Sequence, residues 1–580
     1  MENVSTVSSC IFKELPHLLE SWLNITLNIT SQINSGFVNI LHFFSGGWLD
    51  NSFEYMQTLG RGLNMFSVWW ILSIVLLFAL FLHLSVAHYP TQKRLRAFTS
   101  NIPGPLTLPI LGNVPTFAAC NLVQFFQKLV ATTNKYGPIV RFWMGNKLYI
   151  VISDAESIES LLTSKAMITK NAQVSKILNG SGITLANNDK WKIHRRIISS
   201  TFNGNVLDQF MGSFVQNSLV LIQKLKSLAD GSSFNIYPVI CACTLDIICE
   251  TVTGTNINNY MEGDDVFMKN MLRALEKELE GTYKKPWVLN EWMHNRRKGS
   301  EGDKETFVDY LREFIDNVVT EKLESRPNGF QHYRGNLQVE YLQWVRGREM
   351  CLLDLLIQDD QLSVEEIKEE LCTLIVAGTK VTAVTCCFAL SLLGVYQEVQ
   401  HRVLEEQEKI FGSDIHRAAT SKDLSDMKYL EQVMKETLRL YPPVPFLFRT
   451  IEEDTRLENG YILPKESCAV VFSYMTHRNA EYYPDPELFN PERFSHENHP
   501  YAYIPFGGGR RICVAYKYGM MEAKTILSAV IRAYRITTPG GAESLDRNLQ
   551  AGVLLTLAKG FNVQVLPRSE KVVPSVFRDG

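Results

Sequence analysis

The residues best suited to chemistry lie near the C-terminal end, in the run Phe506-Gly507-Gly508-Gly509-Arg510-Arg511-Ile512-Cys513. A cysteine behind a glycine-rich turn can present its sulfur as a thiolate, the form that binds a metal. Glycines let the backbone adopt positive φ and approach a flat ligand without Cβ collisions. Arg511 adds a cation two residues from the sulfur. These residue types in this order favour a loop that binds haem iron through Cys513 over a buried free cysteine beside an ordinary turn.

A second motif, Trp191-Lys192-Ile193-His194-Arg195-Arg196, places Trp191 and Arg195 on one face of a helix. With the Cys513 run, it makes residues 100–567 resemble the cytochrome P450 superfamily, the haem-thiolate class. The resemblance is greatest to the clan of fatty-acid ω-hydroxylases and insect family-4 enzymes. It implies the cytochrome P450 fold, mainly α-helical with a small β-rich region. It also implies haem b bound by Cys513 within the Phe506 loop, with Trp191, Arg195 and Arg511 at the propionates.

Glu436 and Arg439 are spaced three residues apart on a predicted helix that ends before Tyr441-Pro442-Pro443. Taken alone, this spacing indicates an ordinary surface ion pair. The resemblance implies instead a buried network with Arg493 that fixes the core beside the haem loop.

The long helix predicted from Ser363 to Val395 departs from the family pattern at its centre, Ala377-Gly378-Thr379-Lys380-Val381-Thr382. The family places an acid and a threonine, which deliver protons during dioxygen activation, where this chain has Lys380 and Val381. Gly378 and Thr382 remain the candidate catalytic residues. Thr382 is rotated by about 100° from position 381, so a local bulge would be needed to bring its hydroxyl inward. Ala377 replaces the glutamate that some relatives use to attach haem covalently, so covalent haem is not expected.

Several other features bear on the elements around the site. Two β-rich runs, 139–143 and 148–152, flank Gly145-Asn146 and predict a hairpin. Ala515 stands where the family has a glycine, and we expect haem binding to survive this change. We assign no catalytic role to His194 or His477, because nothing in the sequence orders them around a metal.

A membrane anchor is predicted over residues 66–87, a mostly apolar run that would extend about 33 Å as a helix. Lys93, Arg94 and Arg96 follow it, so the C-terminal part is expected in the cytosol. The predicted order is a lumenal extension (1–65), the anchor (66–87), a basic and proline-rich hinge (88–109) and a haem-thiolate catalytic domain (110–580). The scarcity of cations before Arg61 argues against a mitochondrial transit peptide and favours a single-pass protein of the endoplasmic reticulum membrane.

The composition narrows the class of partner. A formal net charge of -3 argues against a nucleic-acid binder. The chain has 11 cysteines and no Cys-x2-Cys motif, which fits a reduced compartment and argues against a zinc site.

The resemblance implies an oxidoreductase that inserts one oxygen atom of O2 into a small hydrophobic substrate, such as a lipid, fatty acid or xenobiotic. Electrons would come from NADPH through a membrane-bound NADPH-cytochrome P450 reductase, with cytochrome b5 as a second candidate donor. Val381 keeps two alternatives open. One is a haem-thiolate isomerase or dehydratase of oxygenated lipids, and the other is a catalytically impaired haem or lipid binder.

Overall fold

The computed structural model describes residues 93–568, apart from 109–110, 165–181, 185, 187, 257–269, 272–273, 275–305, 326–349, 360 and 497. The predicted anchor over 66–87 and the extension before it lie outside the described residues. Helices form most of the described chain. They are α1 (Val114–Ala118), α2 (Leu122–Tyr136), α3 (Ala155–Thr163), α4 (Asn188–Thr201), α5 (Gly204–Gln209), α6 (Met211–Lys226), α7 (Tyr237–Thr253), α8 (Phe307–Glu324), α9 (Leu352–Asp359), α10 (Val364–Val395), α11 (Gln397–Phe411), α12 (Ser421–Asp426), α13 (Lys428–Leu440), α14 (Ser473–Thr476), α15 (Tyr516–Ala533) and α16 (Gly541–Arg547).

The strands are short and form small sheets. They are β1 (Ile139–Met144), β2 (Lys147–Ile152), β3 (Ser233–Asn235), β4 (Phe446–Thr450), β5 (Thr455–Arg456), β6 (Ile462–Leu463), β7 (Cys468–Phe472), β8 (Tyr534–Thr537), β9 (Leu549–Ala551), β10 (Leu555–Leu557) and β11 (Asn562–Pro567). The largest sheet has the order β1-β2-β7-β4, and a three-stranded sheet has the order β3-β11-β8. β9 pairs with β10, and β5 pairs with β6. A mainly α-helical domain with a small β-rich region is thus confirmed.

The predicted hairpin is β1 and β2, which pair antiparallel with Ile139 opposite Ile152. Its two-residue turn is Gly145-Asn146, and Gly145 has a φ of 63°. A left-handed residue of this kind matches the twist of the two strands and fixes their register. β7 then adds parallel to β2, and β4 adds antiparallel to β7.

The centre of the domain is α10, which packs against α7, α8, α13 and α15. It begins with the predicted capping box, because the Ser363 hydroxyl accepts from the Glu366 backbone N–H and the Glu366 carboxylate accepts from the Ser363 N–H. In the part of the chain that is described, α10 is also the one helix long and apolar enough to cross a membrane. Most of its apolar stretch is buried inside the protein, as expected of a core helix.

Candidate haem-thiolate site

The loop before α15 is closed by a hydrogen bond from the Cys513 backbone N–H to the Phe506 carbonyl oxygen, at 2.9 Å. Gly507 and Gly509 have φ values of 76° and 63°, in the left-handed region that favours glycine. At Gly509, a Cβ atom would lie 1.9 Å from the carbonyl oxygen of Leu162 in α3. The glycines are therefore needed both for the turn and for its close packing against α3.

The Cys513 side chain is partly accessible, whereas most other cysteines in the described residues are buried. Burial raises the thiol pKa of Cys243 and Cys386 well above the ordinary value, which makes those thiols poor metal ligands. Cys513 instead lies close enough to Arg195 for the two to interact electrostatically. After it, Ala515 has a φ of -101°, so this position does not require glycine.

The structure brings the predicted propionate residues together beside this loop. The buried Arg511 guanidinium lies over the Trp191 ring of α4, 4.2 Å from the ring centroid. Arg511 also donates to the carbonyl oxygen of Ala186 at 2.9 Å. Arg195, one turn along α4 from Trp191, donates to the carbonyl oxygen of Ile512 at 2.5 Å. Helix α4 is thereby joined to the Cys513 loop through both arginines.

A third arginine, Arg449 of β4, was missed by the sequence analysis. It is 3% exposed and donates to the carbonyl oxygen of Phe448 at 2.9 Å. Burial lowers the pKa of Arg449 to about 10. Burial, together with the nearby positive charges of Arg449 and Arg195, lowers the pKa of Arg511 to about 10. The signal that could have found it is a charged residue in the otherwise apolar run Phe446-Leu447-Phe448.

The charge of the three arginines shows whether the site fits haem. Over the described ranges, no carboxylate forms an ion pair with Arg195 or Arg449, although both lose hydration by burial. Positively charged side chains that lie together in a partly buried site repel each other unless an anion offsets their charge. A flat dianion such as haem, with two propionates and an iron that binds thiolate, fits this combination of charges and the Cys513 loop.

The predicted network around Glu436 is present. Glu436 and Arg439 of α13 are both fully buried, and they form a two-pronged ion pair at 2.7 and 2.9 Å. Arg493 approaches the same carboxylate at 3.4 Å. The backbone N–H of Asn490 donates to it at 2.8 Å. The interpretation as a surface pair is therefore wrong, and the network fixes the segment that leads to the Cys513 loop.

Helix α10 continues without a bulge through the centre that departs from the family pattern. Gly378 lets α7 approach closely, because a Cβ atom there would lie 2.8 Å from the side chain of Ile248. The Lys380 ammonium lies over the Phe307 ring of α8, 5.7 Å from its centroid. Thr382 is buried. A bulge that would turn it toward position 381 is absent from α10.

One face of α10 is more open than the rest of the helix. Ala377 is exposed and Val381, one turn later, is half-buried, although the helix is packed on several sides. The Thr379 hydroxyl is occupied, since it donates to the carbonyl oxygen of Ile375 at 2.7 Å. Neither Ala377 nor Val381 has a side chain that can transfer a proton.

The two histidines have structural partners. The Nδ1 atom of His194 lies 2.6 Å from the buried Glu370 of α10. His477 accepts a hydrogen bond from the Ile504 backbone N–H at 2.8 Å. Burial and the neighbouring Arg439 lower the pKa of His477 to about 3, so it is neutral at physiological pH.

The described domain is mainly helical, and three arginines lie beside its cysteine loop, whose turn depends on left-handed glycines. This combination defines a haem-thiolate protein. The family model for Cytochrome P450 matches residues 102–565, and the chain belongs to this family. Cytochrome P450 4d2 of Drosophila melanogaster is 32% identical over 480 residues, covering 81% of this chain and 94% of that protein. Cytochrome P450 4V2 of Homo sapiens is 34% identical over 461 residues, covering 77% and 86%.

These matches confirm the predicted resemblance to family 4 and the cytochrome P450 fold. The protein is an oxidoreductase of the monooxygenase type, and its family implies a haem cofactor.

Proposed function

We propose that this protein is a membrane-bound haem-thiolate monooxygenase that inserts one oxygen atom of O2 into a small hydrophobic substrate, such as a lipid, fatty acid or xenobiotic. The observation that carries the proposal is the Cys513 loop, with its partly accessible thiol and its left-handed glycines, beside the buried arginines. The thiolate of Cys513 would bind the haem iron. Arg195, Arg449 and Arg511 would bind the propionates, with Trp191 supporting Arg511.

Each of these residues has a separate task. Haem, when bound, supplies an iron that activates dioxygen, and a thiolate ligand favours cleavage of the O–O bond. The loop from Phe506 is closed by a backbone hydrogen bond that would hold Cys513 in place. The open face of α10 at Ala377 and Val381 offers an apolar surface against which a hydrophobic substrate can pack.

Electrons would come from NADPH through a reductase, with cytochrome b5 as a second donor. Next to Cys513, the surface exposes Arg510 and Lys517 together with the apolar Ile512 and Tyr516. Positive charge around an apolar centre suits a partner with an acidic face. This surface supports the proposed reductase contact, because it brings the partner close to the haem-binding loop.

The proposed membrane location rests on the sequence and on one surface of the described domain. Close to the first described residues, Phe98, Leu106, Leu108 and Leu111 are exposed, and Leu106 has 90% of its surface accessible. Several exposed apolar side chains within a short stretch of chain are typical of a surface that meets lipid. They support the proposed anchor over 66–87 and a cytosolic catalytic domain at the endoplasmic reticulum.

The direct test supplies the membrane-embedded protein with NADPH, reductase, a lipid panel and isotopically labelled dioxygen. Mass spectrometry should find one labelled oxygen atom in a product that forms only with NADPH. A haem-loaded sample that gives no labelled product from any lipid would contradict the proposal and favour a haem or lipid binder.

The second candidate is an isomerase or dehydratase of oxygenated lipids, and α10 is the observation that favours it. Val381 has no hydroxyl, and the Thr379 hydroxyl is held by its own helix. Such chemistry needs neither dioxygen nor a reductase. An unlabelled product that forms from a lipid hydroperoxide without NADPH would establish it. The double variant Lys380→Asp with Val381→Thr should raise product per NADPH in a monooxygenase and leave an isomerase mostly unchanged.

A further inference from the structure

A single turn of backbone binds the side chain of Arg511, and we call it the Gly182 turn, defined by Gly182, Ile183 and Ala186. It is closed by a hydrogen bond from the Ala186 backbone N–H to the Gly182 carbonyl oxygen at 2.9 Å. Arg511 donates to the carbonyl oxygen of Ala186 at 2.9 Å and to that of Ile183 at 3.4 Å. The direction of the Arg511 guanidinium therefore depends on where this turn lies.

The Gly182 turn also contacts the first third of helix α10, before the centre of that helix. A Cβ atom at Gly182 would lie 2.3 Å from the Thr373 hydroxyl oxygen, so only glycine lets the turn come so close. The Ile183 backbone N–H donates to the Glu370 carboxylate at 2.9 Å. The turn is thus bound to α10 through an N–H group and to Arg511 through two carbonyl groups.

Glu370 binds helix α4 as well as the turn. This side chain is fully buried, and its second oxygen lies 2.6 Å from the Nδ1 atom of His194. Successive residues of a helix are rotated by about 100°, so His194 can face α10 while the next residue, Arg195, donates to the Ile512 carbonyl oxygen in the cysteine loop. One carboxylate therefore contacts both elements that carry or bind the arginines of the site.

A carboxylate is a costly residue for this place, because burial removes its hydration. Burial raises the pKa of Glu370, and the hydrogen bonds with Ile183 and His194 oppose that shift. An apolar side chain could fill the same space between the helices, but it could not accept a hydrogen bond from the Ile183 N–H. The acid fixes the turn by a directional bond, which packing alone would not do.

We propose that Glu370 is a positioning residue for the haem site, which holds the Gly182 turn and α4 so that Arg511 and Arg195 meet the haem propionates. This inference rests on the proposed haem-thiolate function. A guanidinium has five N–H donors in a rigid fork, so two bonds to the turn fix the direction of the others. A turn displaced from α10 would redirect those donors away from a propionate.

Resonance Raman spectroscopy of the haem-loaded protein tests this role, because the propionate bending bands report hydrogen bonds to the propionates. In Glu370→Met, an unbranched apolar side chain leaves the Ile183 N–H without its acceptor. The propionate bands should shift as they do in Arg511→Lys, while the iron–sulfur stretching band stays unchanged. Gly182→Ala keeps the acid and should shift the same bands, because its Cβ would push the turn away from Thr373. Wild-type propionate bands in either folded variant would overturn the proposal.

Two glutamine variants separate the turn from the general contact between α4 and α10. Glu370→Gln keeps the size of the acid, can accept from Ile183 and can donate to the other tautomer of His194, so it should restore the wild-type bands. The matched control is Glu369→Gln, which weakens a different contact between the two helices, the ion pair with Lys190 at 3.1 Å. It should leave the bands unchanged. A shift as large as that of Glu370→Met would overturn the proposal, because any loosening of the two helices would then produce it.

Haem affinity tests whether Glu370 acts through Arg511. Glu370→Met should weaken haem binding about 10-fold, the equivalent of one charged hydrogen bond. In an Arg511→Lys background the same change should have little further effect, because the group that it positions is already altered. Equal losses in the two backgrounds would overturn the proposal, since they would mean that Glu370 supports packing in general.

The Raman spectrum of the wild type separates this role from the function on which it rests. Haem-loaded wild type without an iron–sulfur stretching band would contradict the haem-thiolate function itself. Wild type that shows this band, together with a Glu370→Met variant whose propionate bands are unchanged, would contradict the positioning role alone.

Discussion

The Cys513 loop and the centre of α10 both border the proposed haem site, and they differ in what their backbones require. In the loop, left-handed glycines and a close approach to Leu162 make the conformation depend on particular residues. At the centre of α10, the helix is regular across Lys380 and Val381, so its shape does not depend on the residues that carry the chemistry. Residues can therefore be exchanged in α10 without loss of the fold, whereas the loop tolerates few changes.

This difference predicts that substitutions on the loop side change folding and haem content, whereas substitutions on the α10 side change the fate of dioxygen. Variants of the loop and of the residues that support it provide the test.

The largest expected effect is that of Glu436→Ala. It would leave the buried Arg439 without its ion-pair partner, which costs about 3 to 5 kcal/mol. We expect little or no haem-loaded protein, as measured by haem content and by urea unfolding. The control is Glu543→Ala, which removes an ion pair whose side chains are 74% and 80% exposed and should change neither quantity. Normal haem content in Glu436→Ala would show that the network does not support the loop.

The second prediction compares two glycines with nearly the same backbone angle. Gly412 has a φ of 62°, and no atom lies within 4 Å of the place that a Cβ would occupy there. Gly509 has a φ of 63°, and a carbonyl oxygen lies 1.9 Å from the corresponding place. Gly412→Ala should cost only the strain of a left-handed residue, about 1 to 2 kcal/mol. Gly509→Ala should have the same strain and should, in addition, lose most of its haem. Equal haem content in the two variants would refute the role assigned to the close packing against α3.

The third prediction is that Arg449→Gln changes the stability of the protein in opposite directions without and with haem. Without haem, the variant removes a buried cation that faces other arginines, so the apoprotein should become more stable. With haem, it should lose about 1.5 to 3 kcal/mol of charged hydrogen bonding, which is about 10- to 150-fold in affinity. Urea unfolding with and without haem measures both effects. An apoprotein that is destabilised by the change would contradict an anion-binding role for Arg449.

The last prediction concerns pH, and at pH 7 its effect is the smallest. The pKa of His477 is 6.5 in an unfolded chain and about 3 in the fold, so the unfolded state binds more protons between these values. Above about pH 6.5, His477 therefore does not reduce the free energy of unfolding. As the pH drops toward 3, His477 lowers that free energy by at most about 1.4 kcal/mol per pH unit. His477→Gln should flatten the pH dependence of the urea midpoint between about pH 7 and 5. The exposed His401→Gln should leave it unchanged, and equal slopes in all three proteins would exclude His477 as the cause.

Much of the site could be predicted from the sequence because its signals are local. The order of residues from Phe506 to Cys513, the capping box at Ser363 and the turn at Gly145 each depend on neighbours a few residues away. Arg449 could not be found in this way. Its significance lies in its burial and in a group that is distant in sequence, Arg511. Sequence spacing carries no information about such pairs.

The most direct test of the central claim, that Cys513 binds haem iron as a thiolate, is the absorption spectrum of the reduced protein under carbon monoxide. The wild type should show the strongly red-shifted Soret band of a thiolate-ligated haem. Cys513→Ser should lose this band, whereas the control Cys372→Ser, which changes another partly accessible cysteine, should keep it. The same red-shifted band in Cys513→Ser, or its absence from haem-loaded wild type, would contradict the claim.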